Sequence, residues 1–149
     1  MSNVKKRRMM FIGPVGAGKT TLKQALYNDD FTYDKTQAVE FHEQIIDTPG
    51  EFIQHRHFYS TIQNLSAEVD IIAFISSGID TSQVFSPGFA HIFVKPCIGI
   101  ITKTDIASQD QLKLVRDNLK LAGIEKIFEV SSVEQRGTNE ILAFIEMED

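Results

Sequence analysis

The chain has 149 residues, 42% hydrophobic and 23% charged, with a formal net charge of −5. That length suits one soluble domain able to bury about 70% of its unfolded surface, and the acidic balance argues against a general nucleic-acid binder, which needs a basic face. One cysteine, Cys97, excludes a disulfide framework and a thiolate metal cluster; in the apolar run Cys97-Ile98-Gly99-Ile100-Ile101 it reads as a buried, inert thiol.

Lys5-Lys6-Arg7-Arg8 lies near the start of the sequence and is followed by a short apolar run. That run ends within a few residues in a glycine loop, so a secretory signal is not expected. The basic stretch reads as a solvated lead-in to the first strand, with contact to an acidic surface as the alternative. No segment has the length of a transmembrane helix, and a cytoplasmic location with no membrane partner is expected. Residues 9–12 predict the first strand, which enters Gly13-Pro14-Val15-Gly16-Ala17-Gly18-Lys19-Thr20, a G-x-x-x-x-G-K-T pattern. Strand, glycine loop and helix in that order read as phosphate binding. The loop N–H groups form an anion nest at the positive end of the following helix. Lys19 is expected at the β- and γ-phosphates and the Thr20 hydroxyl on Mg²⁺, with Thr21 completing the nucleotide-binding set. Leu22, Ala25 and Leu26 share one face of a helix predicted over 18–28. Asn28-Asp29-Asp30 should end it and open a polar loop to Thr36.

Residues 38–41 and 44–47 predict the second and third strands. Thr36, just before the second, is expected to close over Mg²⁺ when a γ-phosphate is present; Thr32 is its competitor. Asp47-Thr48-Pro49-Gly50 has the D-x-x-G spacing of a GTPase switch. Asp47 would hold Mg²⁺ through a water, and the Gly50 N–H would meet the γ-phosphate, so that losing the phosphate frees the loop. Glu51 stands where a Ras-like enzyme keeps a water-orienting glutamine. A carboxylate beside the γ-phosphate predicts slow intrinsic hydrolysis; the alternatives are a general base or a solvated loop residue. Arg56 is either a stabiliser of transition-state charge supplied by the chain itself or a surface arginine. His55 and His57 flank it without the further ligands a zinc site needs, and His42 and His91 belong to no constellation.

A helix is predicted over 57–66, with Phe58, Ile62 and Leu65 on one face, and strands over 70–75 and 97–101. Their near-continuous apolar character suits strands buried on both faces. Between them, Gly78, Pro87, Gly88 and Pro96 break up any long crossover helix, leaving at most a short one over 88–94. Phe85, Phe89 and Phe93 would pack on the sheet or, alternatively, form a docking surface. After the fifth strand, Thr102-Lys103-Thr104-Asp105 resembles the N-K-x-D guanine signature. Asp105 would accept hydrogen bonds from guanine N1–H and the 2-amino group, which adenine cannot supply, a mismatch worth roughly 10⁴-fold. Lys103 would lie along the base with its ammonium near the phosphate loop. Threonine at 102 in place of asparagine is expected to weaken the tie between the two loops. A helix over 108–122, capped by Ser108 and ended by Gly123, leads to a last strand over 127–130. Ser131 and Ser132 follow it, and the Ser132 backbone N–H would bind the guanine carbonyl. A final helix is predicted over 139–147.

Alternating strands and helices imply a three-layer α/β P-loop NTPase fold, with about six mostly parallel strands and helices on both faces. Every motif sits at a strand's carboxyl end, where such sheets bind ligands. The whole is similar to a Ras-like G domain with a reduced third helix, spanning the chain as a single unit. The segments Ile12-Gly13-Pro14, Lys35-Thr36-Gln37-Ala38, Asp47-Thr48-Pro49-Gly50-Glu51, Phe85-Ser86-Pro87-Gly88-Phe89 and Thr102-Lys103-Thr104-Asp105 resemble the EutP/PduV family of ethanolamine- and propanediol-utilisation systems. That resemblance implies bacterial microcompartment metabolism, a shell or cargo protein as partner, and, for ethanolamine-type members, acetate kinase activity. Three functions stay open: a GTP/GDP switch with slow turnover, a kinase passing the γ-phosphoryl of GTP or ATP to acetate, and a non-catalytic assembly module. The sequence leaves the oligomeric state unknown.

Overall fold

A computed structural model describes residues 7–33, 45–53 and 55–146. Strand β1, Met9–Ile12, is buried along its whole length and leads through the glycine loop into helix α1, Lys19–Tyr33. Strand β2, Ile45–Asp47, is followed by a 3-10 turn over Gly50–Ile53 and a second over Arg56–Phe58 that runs into helix α2, Tyr59–Ser66. Strand β3, Ile71–Ser77, is buried at every residue. A 3-10 turn at Phe89–Ile92 precedes strand β4, Cys97–Thr102. Helix α3, Gln109–Leu121, strand β5, Ile127–Glu129, and helix α4, Thr138–Glu146, complete the order.

The described strands form one sheet in the order β2-β1-β3-β4-β5, and every pair is parallel. Strand side chains alternate between two layers, as their twofold period requires. Met9, Phe11, Ile71, Ala73 and Ile75 pack with Leu22 and Leu26 of α1 and Ile141 and Ile145 of α4. Met10, Ile12, Ile72, Phe74 and Ile101 meet Ile62 of α2 and Leu112, Val115 and Leu119 of α3 on the other side. Helices therefore cover both faces. The chain leaves β1 towards β2 on one side and returns as β3 on the other, so the order reverses at the carboxyl end of β1. That is where a doubly wound sheet opens a ligand crevice. Gly13 lies in it, and a Cβ there would stand 2.5 Å from the Ile75 carbonyl oxygen.

The expected elements are present with three differences. Helix α1 does not stop at Asn28-Asp29-Asp30 but continues to Tyr33; no Gly or Pro interrupts residues 21–33, and Asn or Asp inside a helix costs only tenths of a kcal/mol, about 0.7 at most. The sheet has five described strands rather than six, because the strand expected at 38–41 lies outside the described residues. The crossover between β3 and β4 is a single 3-10 turn, entered through Gly88 at φ +74°, in keeping with the reduced helix expected there. Phe85, Phe89 and Phe93 are buried around the Phe74 ring, at centroid separations of 4.7, 5.7 and 6.1 Å. They are core, not a docking surface.

Helix α3 shows how local sequence sets an element's limits. Ser108 Oγ accepts from the Gln111 N–H while Gln111 Oε1 accepts from the Ser108 N–H, a reciprocal capping box. Gly123, at φ +107°, turns the chain away at the far end. Cys97 is half-buried, and burial pushes its thiol up to about 11, which leaves it unreactive. No helix among the described residues is long and apolar enough to cross a membrane.

Candidate functional site

The glycine loop between β1 and α1 is shaped by backbone that only glycine adopts readily: Gly16 at φ +87° and Gly18 at φ +91°. The Ala17 N–H donates to the Pro14 carbonyl at 3.1 Å and closes the turn. Lys19, only 8% exposed, donates to the Gly13 and Pro14 carbonyls at 2.8 and 3.2 Å. Its ammonium is thus held at the loop by main-chain oxygens. Burial pulls its pKa below the ordinary 10.5, and the Asp47 carboxylate opposes part of that shift.

Strand β2 delivers Asp47 to the same place. The Thr20 hydroxyl donates to Asp47 Oδ2 at 3.3 Å, while Oδ1 is buried with no hydrogen-bond partner among the described residues. A buried carboxylate oxygen without a donor is costly unless a cation or water serves it. A hydroxyl and a carboxylate side by side fit Mg²⁺, which takes one or two protein oxygens and completes its octahedron with water and phosphate. No group of three or more His, Cys, Asp or Glu that could hold a metal occurs among the described residues. Thr48 anchors the chain behind Asp47, donating through both its hydroxyl and its N–H to the Phe11 carbonyl, at 2.8 and 3.3 Å. Gly50 then passes so close to Pro14 and Val15 that any Cβ would stand under 3.0 Å from their backbone. A cavity of about 530 Å³ lies between the two segments, walled by Gly16, Lys19, Thr20, Asp47, Pro49 and Gly50 among others.

A second cavity of about 210 Å³ adjoins it, lined by Gly18, Thr21, Thr102, Lys103, Asp105, Ser132 and Val133. The two share Gly18 and Thr21. Threonine at 102, in place of asparagine, keeps a tie to the glycine loop: the residue is 2% exposed and its hydroxyl donates to the Ala17 carbonyl at 2.5 Å. The short side chain suffices because the loop comes close; a Cβ on Gly18 would stand 3.2 Å from Thr102 Oγ1. Lys103 adopts φ +58° and places its ammonium 2.9 Å from the Gly16 carbonyl. Thr104 bonds twice to the Val130 carbonyl, through its hydroxyl at 2.9 Å and its N–H at 3.2 Å. Asp105 Oδ1 accepts from the Ser131 hydroxyl at 2.9 Å, and Ser131 Oγ accepts from the Glu134 N–H at 3.1 Å. The carboxylate is therefore aimed by a fully buried serine.

Gly13, Pro14, Val15, Gly16, Ala17, Gly18, Lys19, Thr20, Thr21, Asp47, Gly50, Thr102, Lys103, Asp105, Ser131 and Ser132 thus surround two adjacent cavities or support their walls. Arg56 does not join them. It is exposed on its 3-10 turn and lines neither cavity. Thr36, and the side chains of Thr32 and Glu51, lie outside the described residues. His55 and His57 are exposed, with ring centroids 5.6 Å apart, and His57 packs on Phe58. Sequence reasoning passed over Thr48, Pro49 and Val133. The first two occupy the unspecified positions of D-x-x-G, so their only sequence signal is being enclosed by the motif.

A family model described as "Ethanolamine utilisation - propanediol utilisation" matches residues 6–147. The chain is 39% identical over 139 residues to "Propanediol utilization protein PduV" of Citrobacter freundii, covering 93% of each chain. It is 33% identical over 141 residues to "Probable acetate kinase EutP" of Escherichia coli K12, covering 93% of this chain and 89% of that one. Among solved structures, the apo form of translation elongation factor SelB from Methanococcus maripaludis superposes with a TM-score of 0.67 at 17% identity; the match spans 97% of this chain and 33% of that one. The FeoB G-domain of Methanococcus jannaschii gives 0.63 at 16% identity, over 95% and 96%. The fold is that of P-loop GTPase G domains.

Proposed function

The chain belongs to the ethanolamine- and propanediol-utilisation family, and from that premise we propose that it is a Mg²⁺-dependent guanine-nucleotide-binding protein with slow GTP hydrolysis. The observation that carries the reading is the pair of adjacent cavities that share Gly18 and Thr21, with Lys19, Thr20 and Asp47 in one and the Ser131-held carboxylate of Asp105 in the other. In this reading GTP or GDP lays its phosphates along the N–H groups of residues 13–18 at the start of α1. Lys19 exchanges its two carbonyl partners for β- and γ-phosphate oxygens. Mg²⁺, held by Thr20 and through water by Asp47, with Thr36 as a further ligand, would supply charge neutralisation. Asp105 accepts from guanine N1–H and the 2-amino group, Lys103 covers the base, and the Ser132 N–H meets the carbonyl.

Gly50 gives the site its sensitivity to the γ-phosphate. Its N–H is the donor such a phosphate would meet, and its fit against Pro14 and Val15 makes the segment from Gly50 to Ile53 a unit that docks or leaves as a whole. Glu51 supplies no amide to orient water, which is why turnover is slow; Arg56 enters the catalytic role only if its segment moves. In the family's setting the nucleotide state would be read by a microcompartment shell or cargo protein.

The name of the Escherichia coli relative favours one second reading, a kinase that passes the γ-phosphoryl to acetate. One experiment separates the two: competitive binding of GTP and ATP with Mg²⁺ to the chain and to Asp105→Ala. A preference for GTP of at least about 100-fold, lost in the variant, supports the guanine reading. Equal binding, or preference for ATP, overturns it and advances the kinase.

A further inference from the structure

Helix α2 has eight residues, none of them charged, and no side chain caps its N-terminus. A helix so short does not hold itself in water, so its place is set by what it packs on. Tyr59 and Gln63 lie four apart on one face, and both reach the crossover between β3 and β4. The Tyr59 ring meets Phe89 edge-on at 5.0 Å, and Gln63 Nε2 donates to the Ile92 carbonyl at 2.9 Å. The 3-10 turn of the crossover ends at Ile92, so that carbonyl has no partner within the turn and is open to Gln63. The turn is itself pinned. The Gly88 and Ala90 N–H groups donate to the Leu121 and Ala122 carbonyls at the end of α3, at 3.0 and 2.9 Å, and the Phe89 ring lies among Phe74, Phe85 and Phe93. On its other side α2 is tied to the turn that carries Gly50. Phe58, just ahead of α2, stacks on Phe52 at 4.7 Å, and the Tyr59 hydroxyl donates to the Ile53 carbonyl at 3.5 Å.

We propose that Tyr59 and Gln63 are positioning residues for Gly50. The crossover turn is a fixed seat, the two side chains hold α2 on it, and α2 keeps the Gly50–Ile53 turn against Pro14 and Val15. The docked population of that turn is therefore set from the crossover, before any nucleotide contributes. The inference rests on the role given to Gly50 above and names the device that regulates it.

Hydrogen exchange on the unliganded full chain, followed amide by amide by NMR, is the test. Gln63→Ala should speed exchange over residues 50–53 roughly threefold to tenfold, the effect of one lost hydrogen bond, and leave β3 and β4 within about twofold. Tyr59→Leu should do the same, while Tyr59→Phe, which keeps a ring on Phe89, should stay close to the unaltered chain. Unchanged exchange over 50–53 in Gln63→Ala and Tyr59→Leu, or an equal acceleration through the whole chain, overturns the proposal. So does a Tyr59→Phe effect as large as that of Tyr59→Leu. If Tyr59→Leu fails to fold, Gln63→Ala decides, because its side chain is exposed. A nucleotide arm tests the reading underneath. A non-hydrolysable GTP analogue with Mg²⁺ should slow exchange over 50–53 in the unaltered chain, and GDP should not. Equal effects of the two would remove the γ-phosphate from the role of Gly50 and leave the seat standing.

Discussion

The glycine loop and the loop after β4 touch one another, yet they are built from different parts of the chain. Residues 13–18 work through main chain: positive φ at Gly16 and Gly18, close approach at Gly13, and N–H groups that no substitution can strengthen. Residues 102–105 work through side chains, each with its own errand to a distant carbonyl or hydroxyl. A main-chain cradle is generic for phosphate and all-or-none. A side-chain loop is adjustable one residue at a time, so specificity can drift in it while the fold and the phosphate site stay fixed.

The harshest way to test that contrast is to remove the one side chain on which the main-chain cradle depends. Lys19→Ala deletes a buried cation from the phosphate end, and losing such a partner costs about 2–5 kcal/mol. Titration calorimetry should show affinity for GTP and ATP falling by similar factors, roughly 30-fold or more; a loss confined to GTP would break the division of labour. The same residue gives a pH signature. Its lowered pKa means that the native chain binds fewer protons than the unfolded chain between that value and 10.5. Unliganded stability therefore gains from Lys19 as pH rises through this window, while phosphate affinity falls as the ammonium is lost. Chemical denaturation followed to pH 10.5 should show that gain, and Lys19→Met should remove it.

Thr102→Val removes one of the two hydrogen bonds described between the loops, the other being Lys103 to Gly16, without changing shape. It leaves the buried Ala17 carbonyl without its donor, at about 1–3 kcal/mol, so calorimetry should show a melting temperature lower by roughly 3–10 °C. A smaller change would mean that the loops do not depend on that bond. Ser131→Ala releases the aim of Asp105 and touches nothing in the glycine loop. GTP affinity should fall by roughly threefold to tenfold with ATP unaffected, and equal losses for both nucleotides would contradict the separation. Arg56→Ala is the mildest. Because Arg56 lines neither cavity, single-turnover hydrolysis should stay within about twofold of the unaltered chain, and a tenfold loss would place it in the reaction.

What was legible in the sequence follows the same division. The glycine loop, Asp47 and Gly50 were found at once, since main-chain geometry demands glycine at fixed spacing and leaves a regular pattern. The fully buried strands and the Ser108 cap were equally plain, because burial and capping each restrict residue type. The bond from Thr102 to the glycine loop is not legible in the sequence: side-chain length alone does not show how near that loop comes, and a Cβ on Gly18 would stand 3.2 Å from Thr102 Oγ1. The extent of α1 was underestimated because Asn and Asp were read as stops, although no residue there forbids helix. Thr48, which fixes the strand behind Asp47 to Phe11, sits at an unspecified position of D-x-x-G, so the motif encloses it without calling for it.

The wall that Gly18 and Thr21 contribute to both cavities has a thermodynamic corollary. In the proposed reading a nucleotide would be a two-headed ligand: one head would enter the nest, the other would meet Asp105, and the ribose would be a tether whose span the protein has already set. Guanosine alone and pyrophosphate alone should each bind weakly, yet joined they gain the effective concentration of a short linker, of millimolar order. The affinity of the whole then exceeds what either fragment foretells. A shift of α1, whose Lys19, Thr20 and Thr21 wall the first cavity and whose Thr21 also walls the second, would act on both heads and on the span between them.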